Sequence, residues 1–156
     1  MTILILSDSH GNLSNMERAV ESVRPDAIYH LGDCWRDAEK LRRAFPDIPM
    51  EQVPGNCDYE PLEPAEKLLF PGGKRVFLCH GHTRRVKTSL MEAGFLAEEQ
   101  QLDVFLFGHT HRALCDWRGK TMFLNPGSIG DYTHPTYAVL TIDGDRVNSR
   151  IHDLDD

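Results

Sequence analysis

The stretch ILILSDSH, residues 3–10, indicates the fold class of this chain. Its continuous apolar run predicts a strand over Thr2–Leu6 that is buried on both faces, as in a parallel sheet. Directly after the strand the chain turns polar at Asp8, Ser9 and His10. A carboxylate and an imidazole two residues apart can bind a metal ion, although a single pair of this kind is more often a surface feature, so the inference depends on further motifs.

The same arrangement of a strand followed by a short polar motif recurs four more times. Gly32-Asp33 follows a strand predicted over 27–31, Gly55-Asn56 follows 50–53, His80-Gly81-His82 follows 75–79, and Gly108-His109-Thr110-His111 follows 103–107. Ligands of open α/β sheets bind beyond the carboxyl ends of the strands. We therefore expect the metal-competent side chains to lie on one rim.

Helical spacing of apolar residues separates several of these strands. It predicts helices over Leu13–Val23, 35–45 and 83–101, with Asn12 or Ser14 as the N-cap of the first and Gly94 as a candidate break in the third. Further strands are predicted over 67–70, 112–117, 120–124, 136–142 and 146–151. The expected fold class is α/β, with two sheets packed face to face and helices outside.

Size and charge limit the classes of function. A chain of 156 residues and 17.7 kDa suits one domain over residues 1–156. The net charge of −7 repels nucleic-acid backbones, so nucleic acid enters only as a candidate substrate. Apolar runs fall short of the ~20 residues that a membrane helix needs, and the N-terminus lacks a basic signal segment. We expect no membrane partner and a cytoplasmic location.

Four cysteines support that location. Cys34, Cys57, Cys79 and Cys115 form no C-x-x-C pair, which is typical of reduced thiols in a cytoplasmic protein. The first three each lie beside one of the polar motifs. Either a small side chain fits a crowded rim there, or oxidation of a thiol inactivates the site.

The polar motifs, taken in order, resemble those of the calcineurin-like metallophosphoesterases. Gly55-Asn56-Cys57-Asp58 looks most like the small bacterial and archaeal phosphodiesterases of that superfamily, and Asn125-Pro126-Gly127-Ser128 is similar to the family's late motif. The resemblance extends from Ile3 to about Ile142. It implies a four-layer αββα sandwich of two mixed sheets and two adjacent divalent ions.

The resemblance also implies a ligand for each metal position. One ion would be held by Asp8, His10, Asp33 and His111, and the other by Asp33, Asn56, His80 and His109, with Asp33 as the bridge. Manganese is the favoured ion, and nickel, iron, zinc and magnesium are alternatives. Two divalent ions, two aspartates and a bridging hydroxide leave one surplus positive charge, which attracts an anionic phosphate. We expect in-line attack of that hydroxide on a phosphate ester.

The source of the proton for the leaving group is an open point. Many relatives place a histidine directly after the Gly-Asn asparagine, where this chain has Cys57. A thiol is a poor general acid, so the proton is expected from His82 or Asp58, or from no residue. Turnover of simple alkyl phosphates should then be poor compared with aryl diesters. The candidate catalytic residues are Asp33, Asn56, His82 and Asp58.

Several functions share this fold, so the fold alone does not decide among them. Small phosphodiesters are the favoured substrates, and phosphomonoesters are the alternative. A non-catalytic scaffold is another, since a retromer subunit of similar fold serves mainly protein–protein contacts; nucleotide binding without hydrolysis is a third. Phe70, Phe95 and Trp117 are candidates for an apolar contact in a homo-oligomer. The natural substrate, the physiological metal and the oligomeric state are left open by the sequence.

Overall fold

The first of two sheets contains the N-terminal strand. The computed structural model describes residues 1–59 and 63–155. Five of the described strands form this sheet: β1 (Thr2–Leu6), β2 (Ala27–His30), β3 (Met50–Gln52), β9 (Thr136–Asp143) and β10 (Arg146–Asp153). Their order is β10-β9-β1-β2-β3, with β1, β2 and β3 parallel and the other two pairings antiparallel.

The second sheet has a similar plan. Its described strands are β4 (Glu66–Leu69), β5 (Val76–Cys79), β6 (Val104–Leu106), β7 (Leu114–Arg118) and β8 (Thr121–Asn125). They lie in the order β4-β5-β6-β8-β7, with β5, β6 and β8 parallel and each edge strand antiparallel to its neighbour. Both sheets are therefore mixed, with a parallel centre and antiparallel strands at one or both sides.

Three separate apolar clusters define the layers. Ile3, Ile5, Leu78 and Leu106 belong to the cluster between the two sheets. A second cluster packs α1 (Leu13–Val23) and α2 (Trp35–Ala44) on the outer face of the first sheet, and a third packs α3 (Met91–Gln100) on the second sheet. The expected four-layer αββα sandwich of two mixed sheets is confirmed. Within the described ranges, no helix has the length and apolar character needed to cross a bilayer.

The helix predicted over 83–101 is wrong in its first half. His82–Arg84 forms a single 3₁₀ turn, Arg85 is left-handed with φ 53°, and α3 begins only at Met91. The Glu66 carboxylate on β4 accepts hydrogen bonds from Thr83 and Arg84 and ties this segment to the sheet.

The structure also shows the role of Gly94 in α3 and the N-cap of α1. Gly94 does not break α3, because its N–H donates to Leu90 in regular helical geometry. Asn12, and not Ser14, caps α1, since its side chain accepts from the Asn15 N–H at 3.0 Å.

The parallel strands direct their carboxyl ends to a rim where the two sheets meet. The His80 ring, after β5, is hydrogen-bonded through Nδ1 to the Leu31 carbonyl oxygen, after β2, at 2.8 Å. Gly108, after β6, donates its N–H to the His80 carbonyl oxygen at 2.8 Å. These contacts bring the polar loops of both sheets together at one place.

Buried His30 joins the loop after β1 to the loop after β2. Its Nδ1 accepts from the Gly32 N–H at 3.1 Å, so Nε2 carries the proton and donates to Ser9 Oγ at 3.1 Å. Ser9 Oγ donates onward to Asp37 Oδ2 at 2.7 Å. Burial lowers the pKa of His30 to about 4, so the ring is neutral at neutral pH. Each hydrogen bond in the series from Gly32 through His30 and Ser9 to Asp37 then has a defined donor and acceptor.

The pKa of His30 predicts a loss of stability in mild acid. The unfolded chain binds a proton near pH 6.5, whereas folded His30 does so only near pH 4, so stability falls as the pH drops through this window. Between pH 7 and pH 5, His30 should lower the free energy of unfolding by about 2 kcal/mol. Denaturant titrations of the metal-free wild type and His30→Asn measure this loss, since asparagine keeps an acceptor without a titrating ring. Equal losses in both proteins would contradict the assignment.

Candidate metal centre

Side chains from the loops after β1, β2, β5 and β6 converge on the rim. Ligand atoms of Asp8, His10 and His111 lie within 4.8 Å of one another, as do those of Asp8, Asp33 and His80. Asp8 is common to both groups, whereas the family resemblance implies Asp33 as the bridge. Asp33 nevertheless lies at the inner group, with Oδ2 3.5 Å from His80 Nε2.

The inner group is a cluster of buried acceptors. Because Nδ1 of His80 donates to a carbonyl oxygen, its Nε2 has a free lone pair. That nitrogen lies 3.7 Å from Asp8 Oδ1 and 3.5 Å from Asp33 Oδ2. Among the described residues, neither His80 Nε2 nor Asp8 Oδ1 has a hydrogen-bond partner. Buried acceptors that face one another are unfavourable unless a cation lies between them. The lone pairs of these carboxylate and imidazole atoms therefore fit a divalent metal ion.

The outer group is open to solvent. His111 Nε2 lies 3.2 Å from Asp8 Oδ1, and His10 Nε2 lies 3.8 Å from the same oxygen. The two imidazole nitrogens are 3.4 Å apart. The side chains of His10 and His111 are 41% and 46% exposed, whereas Asp8 is fully buried. A small substrate can therefore reach this side of the centre.

Of the two remaining predicted ligands, His109 lies beside the inner group, and Asn56 precedes a residue that bonds to Asp33. The His109 ring centroid is 5.0 Å from that of His80, and burial, followed by the His80 ring, lowers the pKa of His109 to about 4. The ring is thus neutral, as a metal ligand must be. Asn56 is exposed, and its Nδ2 donates to Cys57 Sγ at 3.7 Å. Cys57 in turn donates its N–H to Asp33 Oδ1 at 3.1 Å.

Five of the seven predicted ligand residues have left-handed backbone. They are Asp8 (φ 54°), His10 (φ 44°), Asp33 (φ 44°), His109 (φ 68°) and His111 (φ 62°). This region is unfavourable for side-chain-bearing residues, although Asp and His tolerate it better than most. Such strain collects at functional sites, where the surrounding structure holds the unfavourable conformation in place.

Asp8 is held by Ser7, which the sequence motifs did not indicate, and by residues of two motifs that they did. Its Oδ2 accepts from Ser7 Oγ at 2.6 Å and from the His109 N–H at 3.1 Å, which leaves Oδ1 to face the imidazoles. The Ser128 hydroxyl donates to the Asp8 carbonyl oxygen at 2.8 Å. Fully buried Asn125 donates to the Gly108 carbonyl oxygen at 3.0 Å. The late motif therefore fixes the two loops that carry three of the histidines and Asp8.

Asp58, a candidate catalytic residue, joins two other loops. Its carboxylate accepts three backbone N–H groups: Asp33 at 3.1 Å, Gly55 at 2.8 Å and Trp35 at 2.8 Å. These bonds hold the loop after β2 against the loop after β3. A carboxylate with three N–H partners has little capacity left for a substrate, and its position suits orientation of Asp33.

His82, the other candidate for proton donation, is half-buried beside the inner group. Its ring centroid is 5.7 Å from that of His80 and 6.3 Å from that of His109. Burial, followed by the neighbouring His80 ring, lowers the pKa of His82. Its Nδ1 is buried and has no hydrogen-bond partner among the described residues. Nδ1 is therefore a buried nitrogen that no described residue pairs.

Two glycines allow the loops to approach each other. A Cβ on Gly108 would collide with Ser7 Oγ and lie 2.8 Å from Asp8 Oδ2. A Cβ on Gly55 would collide with Asp33 Oδ1. Each glycine thus admits a ligand carboxylate at a place where a larger residue would displace it.

Gly108→Ala should weaken metal binding without unfolding the protein. The added methyl group displaces the Asp8 carboxylate, so we expect the Mn²⁺ affinity to fall at least about 10-fold. Gly94→Ala is the matched control, because a Cβ there has no atom within 4 Å. Calorimetric Mn²⁺ titration measures the affinity, and circular dichroism checks the fold. Equal Mn²⁺ affinity in the two variants would rule out the proposed role of Gly108.

Comparison with known sequences identifies the family. The calcineurin-like phosphoesterase superfamily domain matches residues 1–145. The probable metallophosphoesterase YsnB of Bacillus subtilis is 34% identical over 160 residues, which cover 98% of this chain and 91% of YsnB. The phosphodiesterase YfcE of Escherichia coli K12 is 28% identical over 155 residues, or 83% of this chain and 79% of YfcE.

Solved structures agree. A conserved protein of Streptococcus pneumoniae TIGR4, described as a predicted phosphoesterase, matches 99% of this chain and 90% of its own with a TM-score of 0.82 and 28% identity. Vps29 of Entamoeba histolytica, complexed with Zn²⁺, matches 99% of each chain with a TM-score of 0.78 and 19% identity, which is a likeness of fold alone. The motif resemblance is confirmed, and the chain belongs to the calcineurin-like phosphoesterase superfamily.

Proposed function

We propose that this protein hydrolyses phosphodiesters with two divalent ions held by Asp8, His10, Asp33, Asn56, His80, His109 and His111. The observation that carries the proposal is the set of buried acceptors around Asp8 Oδ1 and His80 Nε2, which lack a hydrogen-bond donor among the described residues. Family membership supports phosphoester hydrolysis, and the name of the relative YfcE supports diesters in particular.

The chain's own groups divide the work at this site. When bound, two divalent ions would stabilise negative charge on the phosphate and lower the pKa of a water molecule so that it attacks phosphorus. Asp8 and Asp33 supply the negative charge that retains the ions, and the neutral histidines leave the site with surplus positive charge for the substrate. Ser7, Asn125 and Ser128 hold the ligand loops in place before substrate arrives.

For the leaving group, His82 is the better candidate of the two. The half-buried His82 ring lies beside those of His80 and His109, whereas the Asp58 carboxylate is occupied by three N–H groups. We assign proton transfer to the protonated form of His82, whose population the lowered pKa reduces, and orientation of Asp33 to Asp58. Burial, followed by the neighbouring Asp33 carboxylate, raises the pKa of the exposed Cys57 thiol, which keeps it in the neutral form.

Other features of the proposal rest on less specific observations. Manganese is the preferred ion in this proposal, with nickel, iron, zinc and magnesium as alternatives, because carboxylate and imidazole ligands accept all of them. A cytoplasmic location is consistent with four free cysteines. Phe70, Phe95 and Trp117 are each more than half exposed, as a homo-oligomer contact would require.

A non-catalytic scaffold is the competing function. The likeness to Vps29 over 99% of both chains is one of fold alone, which admits this function without favouring it. The complete set of ligand residues favours hydrolysis, since a purely structural role does not require buried acceptors that face one another. Metal-dependent turnover separates the two functions.

Metal-stripped protein should regain hydrolysis of bis(p-nitrophenyl) phosphate when Mn²⁺ is added. Asn56→Ala should lower kcat/KM at least about 100-fold, because the variant lacks one proposed ligand. Asn148→Ala, the same change at an exposed position of β10, should leave kcat/KM within about 2-fold of wild type. Ni²⁺, Zn²⁺, Mg²⁺ and the monoester p-nitrophenyl phosphate complete the series.

The outcomes of this experiment decide between the functions. Faster turnover of the diester than of the monoester supports the phosphodiesterase, and the reverse order supports the phosphomonoesterase. Failure of every metal to restore turnover of either ester would favour the scaffold.

Leaving-group dependence tests the assignment of His82. His82→Gln should lower hydrolysis of diphenyl phosphate by about 100-fold, but that of bis(p-nitrophenyl) phosphate far less, because p-nitrophenolate leaves without a proton. Asp58→Asn should lower both rates by the same factor, since Asp58 acts through Asp33. The assignment fails if His82→Gln affects both esters equally.

A further inference from the structure

A groove of about 760 Å³ adjoins the solvent-exposed side of the metal centre. His10 and His111 form one wall, so a phosphate at the centre would place one of its ester groups in this groove. Gly130, Asp131, Tyr132 and Thr133 contribute to the lining as well, together with the first residues of α1. The volume is within the range of sites that bind small molecules, roughly 300–1,000 Å³.

The loop that forms the far wall is fixed at many points. The Ile129 carbonyl oxygen accepts from Asn15 Nδ2 at 2.9 Å, and the Ile129 N–H donates to the Ser7 carbonyl oxygen at 3.1 Å. Asp131 Oδ1 accepts the N–H groups of Thr133 and His134, both at 2.9 Å. The backbone on both sides of Tyr132 is therefore held by hydrogen bonds, and Tyr132 itself lines the groove.

Tyr132 makes no contribution to the core. Its side chain is fully exposed, although the loop that carries it is tied to β1 and α1. Structural needs alone do not require an aromatic ring there. An aromatic side chain on a rigid loop offers a flat apolar surface to a ligand at a low cost in conformational entropy.

The charge of the groove limits what it can accept. Its described lining residues include neither lysine nor arginine, and the one carboxylate, Asp131, accepts the N–H groups of Thr133 and His134 through Oδ1. A second phosphate, or an extended nucleic-acid backbone, would therefore lack a cationic partner in this groove. A neutral, planar group suits the lining better.

We propose that this groove binds a planar aromatic ester group of the substrate and that Tyr132 stacks on it. The inference rests on the proposed phosphodiesterase function, because the phosphate has to be held at the metal centre. It names the substrate class as small diesters with an aromatic or heteroaromatic ester group, such as a nucleoside. Tyr132 is then a specificity-determining residue that takes no part in the chemical step.

Two non-hydrolysable anions test the proposal by binding alone. Diphenylphosphinate and dimethylphosphinate carry the same charge and differ in the aromatic rings. Calorimetric titration of the Mn²⁺-loaded protein should show tighter binding of diphenylphosphinate. Tyr132→Ala should weaken that binding by about 5- to 150-fold, the range for loss of one aromatic stacking contact, and change the dimethylphosphinate affinity by less than about 2-fold.

Matched variants make the result specific. Tyr132→Phe should keep the wild-type preference, because it keeps the ring. Tyr59→Ala removes another exposed tyrosine, one that does not line the groove, and should keep the preference as well. Equal weakening of both phosphinates by Tyr132→Ala, or equal effects of the two alanine variants, overturns the proposal.

The two proposals fail in different experiments. A wild-type protein that hydrolyses diesters but shows no preference for diphenylphosphinate overturns the aromatic groove and leaves the phosphodiesterase function intact. A protein that shows the Tyr132-dependent preference but no turnover with any metal overturns the phosphodiesterase function and supports the groove as a binding site.

Discussion

The site depends on one constraint, which is the burial of the Asp8 carboxylate with one oxygen free of donors. Oδ2 is bonded to Ser7 and to the His109 N–H, so Oδ1 has to face the imidazole nitrogens. Isolated buried charge is costly, and a bound cation removes that cost. Metal binding should therefore stabilise the rim as a whole. Gly108 and Ser128 serve the same constraint. Gly108 leaves room for the Asp8 carboxylate, and the Ser128 hydroxyl holds the Asp8 backbone.

The centre also links the two sheets. His80 comes from the second sheet, yet its ring is hydrogen-bonded to Leu31 of the first. Asp58 and Gly55 bring the β2 and β3 loops into contact, and Gly108 brings the β6 loop onto the β1 loop. The packing between the sheets and the positions of the ligands are consequently interdependent. A change at the apolar interface that tilts one sheet would move ligands apart without touching them.

Sequence patterns predicted the elements whose structure depends on residues close together in the chain. The apolar run at 3–6 predicted β1, and the strand-end motifs placed Asp8, His10, Asp33, His80 and His111 together, as the structure places them. The helix over 83–101 failed because Glu66, distant in sequence, holds its first turn. The supporting roles of Ser7 and Asp58 depend on tertiary hydrogen bonds that have no periodicity. The single domain over 1–156 and the role of each ligand stay predictions.

The left-handed backbone of the candidate ligand residues affects how this protein can change under selection. Glycine would adopt the backbone conformations of five candidate ligand residues with less strain. These residues are Asp8, His10, Asp33, His109 and His111. A population selected only for heat tolerance should therefore accumulate glycine or asparagine at these codons, since each replacement relieves strain. The same replacements remove the ligands. Relief of strain in the metal-free protein and stabilisation of the rim by bound metal thus compete at the same positions.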